Sequence, residues 1–197
     1  MTDRGKYQPL SYFQLMEVTL RELLVEKGIL TGEQVKAEVA AMRARTPERG
    51  ARVVAKAWAD ADFKRRLLEN GTTACEGLGL ELGTLKLVVV ENTPQVHNAI
   101  VCTLCSCYPR MLLGIPPDWY KSRNYRSRMV REPRVVLQEF GLKISLETAI
   151  RVHDSTADMR YMVLPMRPAG TEGWSEERLA ALVNRDSMIG VAIPSPG

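Results

Sequence analysis

Apolar positions recur at helical spacing through the first third of the chain and give way to short β-branched runs beyond residue 84. Leu15, Val18 and Leu23 within residues 11–27 fit an amphipathic helix that Lys27-Gly28 stops. Thr31, followed three residues on by Gln34, predicts a capping box and a second helix that carries Val35, Val39 and Met42 inward. Pro47 and Gly50 break the pattern. A third helical stretch with Val54 and Trp58 leads through a cap at Asp60 to Phe63, Leu67 and Leu68, and Asn70-Gly71 ends it. Leu85, Leu87, Val88, Val89 and Val90, bounded by Gly83 and by Asn92-Thr93-Pro94, predict a buried strand. Ala99-Ile100-Val101 is the next short apolar run. Ala149–Val152 and Tyr161–Leu164 predict strands, Ser175–Val183 a helix and Met188–Ile193 a last strand. The expected fold class is therefore α+β: an N-terminal helical arm over 1–80 and an α+β domain over 81–197.

Composition adds bounds. The 197 residues, 45% of them hydrophobic, suffice for a real core. A net charge of +4 is too mild to call for nucleic acid. The one dense basic stretch (Lys121, Arg123, Arg126, Arg128, Arg131, Arg134) has only Tyr120 and Tyr125 interleaved, and reads as subunit contacts and local salt bridges. With no charged leader before an apolar stretch, and no run near the roughly 18 apolar residues of a membrane helix, a soluble cytoplasmic protein is expected. Three of the four cysteines lie within six residues, poor spacing for a secreted disulfide framework, which favours metal binding or redox chemistry.

Cys102-Thr103-Leu104-Cys105-Ser106-Cys107 offers three soft thiolates to one ion. A structural zinc site wants a fourth cysteine or histidine, and neither His97 nor Cys75 is placed by sequence to supply it. A different set is available if the backbone amides of Ser106 and Cys107 lose their protons. Each nitrogen then closes a chelate ring with a cysteine sulfur, giving a planar set of two nitrogens and two sulfurs that Cys102 caps from one side. Such donors favour a low-spin trivalent ion, cobalt(III) or iron(III), with one open Lewis-acid position. Sulfurs so held can climb to sulfenic and sulfinic acids. An iron–sulfur or structural zinc site, a redox dithiol and reduced buried cysteines stay open as alternatives.

The residues from Val101 to Cys107 resemble the α subunit of the nitrile hydratase family and the related metal-bearing subunit of thiocyanate hydrolase. The resemblance continues through Leu113-Gly114-Ile115-Pro116-Pro117-Asp118-Trp119-Tyr120, Tyr125-Arg126-Ser127-Arg128, Val130-Arg131-Glu132-Pro133-Arg134, Arg160–Pro165, Arg167–Ser175 and Ile189-Gly190-Val191. It implies a layered α-β-β-α catalytic domain behind the helical arm. It further implies a thiolate at Cys102, a sulfinate at Cys105 and a sulfenate at Cys107, the last acting as a catalytic group with Ser106 positioning the cluster through its amide. Thr103, where iron members usually carry serine, points to cobalt. The resemblance also implies a β-type partner subunit supplying arginines and pocket walls, and an accessory activator that loads the metal.

Two departures from the family pattern bear on substrate and support. Many members carry an aromatic residue where Arg110 stands; an arginine there resembles thiocyanate hydrolases and suits thiocyanate or a polar nitrile, such as a cyano-substituted nucleoside of the toyocamycin type. Leu82-Gly83-Thr84 stands where members often have Gln-Gly-Glu. Trp119 is expected to pack and to edge the pocket, and Arg160 resembles a family position near the metal network. His97 and His153 are expected in polar or partly buried structural roles, and Cys75 as buried apolar filler.

Overall fold

The structure, a computed structural model, describes residues 9–196. Its elements are α1 (Tyr12–Glu26), α2 (Gly32–Arg43), α3 (Glu48–Ala59), α4 (Ala61–Glu69), α5 (Gly71–Glu76), β1 (Lys86–Glu91), β2 (Val96–Val101), α6 (Arg110–Leu113), α7 (Asp118–Lys121), α8 (Arg123–Met129), α9 (Pro133–Glu139), β3 (Ala149–Asp154), β4 (Met159–Leu164), α10 (Glu176–Ala180) and α11 (Arg185–Ile189).

Contacts divide the chain into one unit through Met42 and one from Arg43, so the boundary expected near residue 80 is corrected. The reason is burial: α3 places Val53, Val54 and Ala57, α4 places Phe63 and Leu67, and α5 places Cys75 in the same apolar core as the strands. In the first unit, the Thr31/Gln34 capping box forms as expected, with Gln34 N–H donating to Thr31 Oγ1 at 3.1 Å and Thr31 N–H to Gln34 Oε1 at 2.8 Å. The inward placement of Val39 and Met42 does not hold: α1 and α2 bury no residue, because two helices alone offer too little apolar surface to cover one another's stripes.

In the second unit, β1 pairs in parallel with β4 and β2 in parallel with β3. Helices α4 and α5 lie on β1, the pairs meet through β1, β2 and β4, and α9 lies on β3, giving a helix–strand–strand–helix layering. Asp60 caps α4 by accepting from Phe63 N–H at 2.9 Å, as its position predicts. Gly50 does not break a helix; it lies inside α3, where a Cβ would come within 2.7 Å of both Leu113 Cδ2 and Met188 Sδ.

The last expected strand, Met188–Ile193, is also corrected. Asn184 caps a helix by accepting from Ser187 N–H at 2.8 Å, and α11 buries Met188 and Ile189 before Gly190 ends it. A short apolar run fits a buried helical turn as well as a strand, and here the cap decides. Gly190 has φ +92°, and its carbonyl accepts from His97 Nε2 at 2.8 Å. A Cβ there would run into the Asn98 carbonyl. No helix of the described residues is long and apolar enough to cross a membrane.

Gly190→Ala is expected to cost well over the ~1–2 kcal/mol of a left-handed alanine, since steric overlap adds to the backbone penalty. Gly170→Ala, at φ +76° with nothing within 4 Å, should cost only that backbone term. Thermal or urea unfolding of the two variants checks the difference.

Candidate metal centre

The cysteine loop starts where β2 ends. Cys102 is fully buried, Cys107 half-buried and Cys105 exposed. The three sulfurs nonetheless converge: Cys102 Sγ lies 3.6 Å from Cys105 Sγ, which lies 3.3 Å from Cys107 Sγ. These distances are far beyond a disulfide bond. With metal–sulfur bonds of ~2.3 Å, adjacent sulfurs of an octahedron stand ~3.2 Å apart and those of a tetrahedron ~3.8 Å apart. The two edges fall inside that range, the shorter close to the octahedral value. All three sulfurs lie within 4.8 Å of one another, and among the described residues no histidine, fourth cysteine or carboxylate joins them. The donor set thus fits one thiophilic ion, without the fourth side chain that a closed zinc tetrahedron uses.

Main-chain groups complete the picture. Cys105 N–H donates to Cys102 Sγ at 3.2 Å, and the amides of Ser106 and Cys107 both face the Cys105 sulfur. The hydrogen bond from Cys107 and that of the Ser106 amide pull the Cys105 thiol down to about 7. Burial and then the neighbouring Cys105 and Cys102 sulfurs push Cys107 up to about 12, and the Arg160 charge opposes that rise.

Scaffolding residues hold the loop from behind. Asp154, the last residue of β3, accepts from Thr103 N–H at 2.9 Å and from Thr103 Oγ1 at 2.5 Å. Tyr120 donates its hydroxyl to the Cys107 carbonyl at 2.9 Å, and Tyr125 donates to the Ile100 carbonyl at 2.7 Å. Sequence reasoning missed Asp154 and Tyr120. The tyrosine is adjacent to the tryptophan singled out from sequence, whereas the role of Asp154 depends on strand register, which carries no local signal.

The other anticipated residues separate. Arg160 stands near enough to act on Cys107; it donates to the carbonyls of Thr156, Ala157 and Met159, while its Nε is buried without an acceptor. Arg110 opens α6, exposed, three residues beyond Cys107. Trp119 packs edge-on against Tyr125 at 4.9 Å and Phe140 at 4.7 Å, an aromatic cluster that Tyr120 links to the Cys107 carbonyl. His97 is held by Gly190, and His153 donates from Nε2 to Asn98 Oδ1 at 2.8 Å. Cys75 is in the core, its thiol pushed up to about 12 by burial.

The chain matches the family described as "Nitrile hydratase, alpha chain" over residues 11–192. It is 53% identical over 178 residues to the cobalt-containing nitrile hydratase subunit alpha of Pseudonocardia thermophila, covering 87% of this chain and 86% of that one. It is 44% identical over 202 residues to the thiocyanate hydrolase subunit gamma of Thiobacillus thioparus, covering 96% and 83%. A solved structure of a double mutant of the Fe-type nitrile hydratase from Comamonas testosteroni Ni1 superposes with a TM-score of 0.89 at 44% identity, over 96% of this chain and 98% of the other.

In the reduced, metal-free chain, iodoacetamide should label Cys105 first, at a rate rising as pH passes about 7, where its thiolate forms. Cys107 should follow Cys105, because burial and the neighbouring sulfurs push its thiol up, and Cys75, raised by burial in the core, should label only at still higher pH or on unfolding. Peptide mass analysis across pH reads the order, and Cys107 labelling ahead of Cys105 would contradict the assignment.

Proposed function

Because this chain belongs to the nitrile hydratase α-chain family, we propose that it is the metal-bearing subunit of a nitrile hydratase, a hydro-lyase converting a nitrile to its amide. The observation that carries this reading is the convergence of three cysteine sulfurs with the Ser106 and Cys107 amides turned toward the middle one. Cobalt(III) is the proposed cofactor and iron(III) the alternative. Thr103 and the cobalt-containing relative support cobalt, and the Fe-type neighbour keeps iron in play.

Cys102, Cys105 and Cys107 would hold the ion together with the amide nitrogens of Ser106 and Cys107. When bound, the ion supplies an open Lewis-acid position that polarises the carbon–nitrogen triple bond. The chain's own residues do the rest. Cys102 anchors the site from the buried end of β2. Asp154 and Tyr120 fix the main chain on either side of the sulfurs, so the loop needs little rearrangement to enclose an ion. Cys105 as sulfinate and Cys107 as sulfenate would carry oxygens, and the Cys107 oxygen, or a water held against it, would deliver the attack on the nitrile carbon. Arg160 supplies positive charge on the Cys107 side.

A β-type subunit would contribute arginines to the sulfur oxygens and wall the pocket, and an activator protein would load the metal; the exposure of Cys105 and of Leu104 (84%) supports a missing cover. A cytoplasmic setting accords with four free thiols. The substrate is read as a small polar nitrile, the cyano-substituted nucleosides of the toyocamycin type included. One observation favours a second reading, in which thiocyanate is hydrolysed to carbonyl sulfide and ammonia: Arg110, an exposed cation beside the cluster, together with the thiocyanate hydrolase relative.

Co-expression with the β-type partner and activator in cobalt medium should give about one cobalt per chain and an intact mass raised by about 48 Da, three oxygens on two sulfurs. Cys107→Ala should drop nitrile turnover to background. Stoichiometric zinc with unmodified thiols, or full turnover by the variant, refutes the assignment. Arg110→Ala should raise KM for thiocyanate at least ~10-fold while leaving a small apolar nitrile nearly unchanged. Steady-state kinetics of the assembled complex on both substrates reads the split and decides between the two readings.

A further inference from the structure

Helix α8 turns one face outward beside the cysteine loop. Arg123, Arg126, Ser127 and Val130 recur at helical spacing and, with Thr103, line an open hollow of about 630 Å³. The arginines of this basic stretch fall into two groups. Arg128 is held by Glu132 and, through both terminal nitrogens, by Glu139 at 2.9 and 2.6 Å. Arg134 donates to the carbonyls of Ile144, Ser145 and Thr148 at 2.7–2.9 Å, and Arg131 to the Ser127 carbonyl at 3.0 Å. Arg131, with that single bond, does not line the hollow, and the charges of Arg128 and Arg134 are engaged within the chain.

Arg123 and Arg126 are not. Arg126 makes one long bond, from Nη1 to the Thr103 carbonyl at 3.3 Å, and its Nε is buried without an acceptor. Arg123 is exposed, and among the described residues neither arginine is in an ion pair. No carboxylate lines the hollow. Two apolar side chains here are open to solvent: Val130 in the lining (47% exposed), and Leu104, which follows the lining residue Thr103 on the cysteine loop (84%).

We propose that this hollow receives an aspartate or glutamate side chain of the β-type partner subunit, seated between the Arg123 and Arg126 guanidinium groups, with Leu104 and Val130 covered by apolar residues of the same segment. The inference rests on the reading of this chain as one subunit of a heteromeric hydratase. Arg126 spends only Nη1, in one long bond, and its Nη2 is neither bonded nor buried, so the outer edge of the guanidinium is open to an acceptor from outside, for which a carboxylate fits best. Two unneutralised cations with no acid between them give the charge complementarity, and the exposed apolar residues mark the same face for coverage. Because Arg126 also holds the Thr103 carbonyl, the pair would tie the loop between Cys102 and Cys105 to the subunit boundary.

The test is the dissociation constant of the purified complex with its β-type partner, measured across a salt series. The R123A/R126A pair should weaken association by ~10- to 100-fold at low salt and flatten the salt dependence. R123K/R126K should retain part of the affinity. R131A, which removes an exposed arginine that does not line the hollow, should stay within ~2-fold. R123A alone alters an exposed side chain without a partner and so leaves the fold intact; it should still lose ~3- to 10-fold. Unchanged affinity and salt dependence in R123A and in the double variant overturn the proposal. So does Arg126-dependent binding of acetate or thiocyanate to the isolated chain while R123A/R126A leaves the complex unaffected, which would mark a free-anion site. If the wild-type complex forms and hydrates nitriles but the variants associate normally, this inference alone fails. If no cobalt-bearing complex forms with a β-type partner, the reading beneath it fails first.

Discussion

The cysteine loop depends on the register of one parallel strand pair. Val101, the last residue of β2, lies opposite Asp154, the last of β3. One residue on, Cys102 leaves the ladder with its sulfur buried, and Thr103 gives both its amide and its hydroxyl to the Asp154 carboxylate. Ser155 N–H bonds the Val101 carbonyl and extends the pairing one step further. Because strand side chains alternate between faces, a slip of one residue would turn Asp154 away and free the first half of the loop. Tyr125 and Tyr120, whose rings pack together at 5.6 Å, hold the Ile100 and Cys107 carbonyls on either side of it. The sulfurs therefore converge because the main chain is fixed at several points around them, before any ion contributes.

That convergence is electrostatically asymmetric. Three thiols within a few ångströms cannot all lose protons easily, since each thiolate raises the next. Here Cys105 is brought down to about 7 while Cys107 is held near 12. Full deprotonation thus calls for strong positive charge at the centre of the triangle, beyond what Arg160 provides from one side. A metal ion is that charge, and its binding would release protons and strengthen with rising pH. The backbone amides turned toward Cys105 stabilise the first thiolate where no side-chain cation is bonded to it.

Much of this was readable in advance, for identifiable reasons. The β-branched run to Val90 and the two later strands announce themselves through composition, and the caps at Thr31 and Asp60 through local side-chain chemistry, whereas Asn70, which reads only as a helix stop, also caps α5. The cysteine triplet is legible because ligand and spacing lie in one hexapeptide. Long-range facts were not. Whether α3 belongs to an arm or to the core depends on Gly50 letting Leu113 and Met188 approach, residues far along the chain. Met188–Ile193 carries an apolar run with no period of its own, so the Asn184 cap and the fit against Gly50 settle it as a helical turn. Asp154 needs the β2–β3 register, and no spacing rule contains that. The apolar positions of α1 and α2 recur at helical spacing, yet a stripe does not say which surface covers it, and these stay exposed.

The distribution of burial around the loop shows which part of a reaction chamber this chain can build. On one flank Tyr108, Pro109, Leu112 and Tyr120 are buried, and Cys102 with them. On the other, Thr103, Leu104, Cys105 and Arg110 face solvent. A Lewis acid open to bulk water on that side would compete with solvent for its substrate, and charged groups there would act at a high dielectric, where their influence is weakest. Water must be displaced from the exposed flank for the sulfurs and any oxygens they carry to act strongly, and no described segment of the second unit folds over it. On the proposed reading the chain supplies the ligands and the back wall. On that reading, the front wall and the counter-charges for Arg123 and Arg126 would come from the partner subunit, and assembly and catalytic competence would then be one problem.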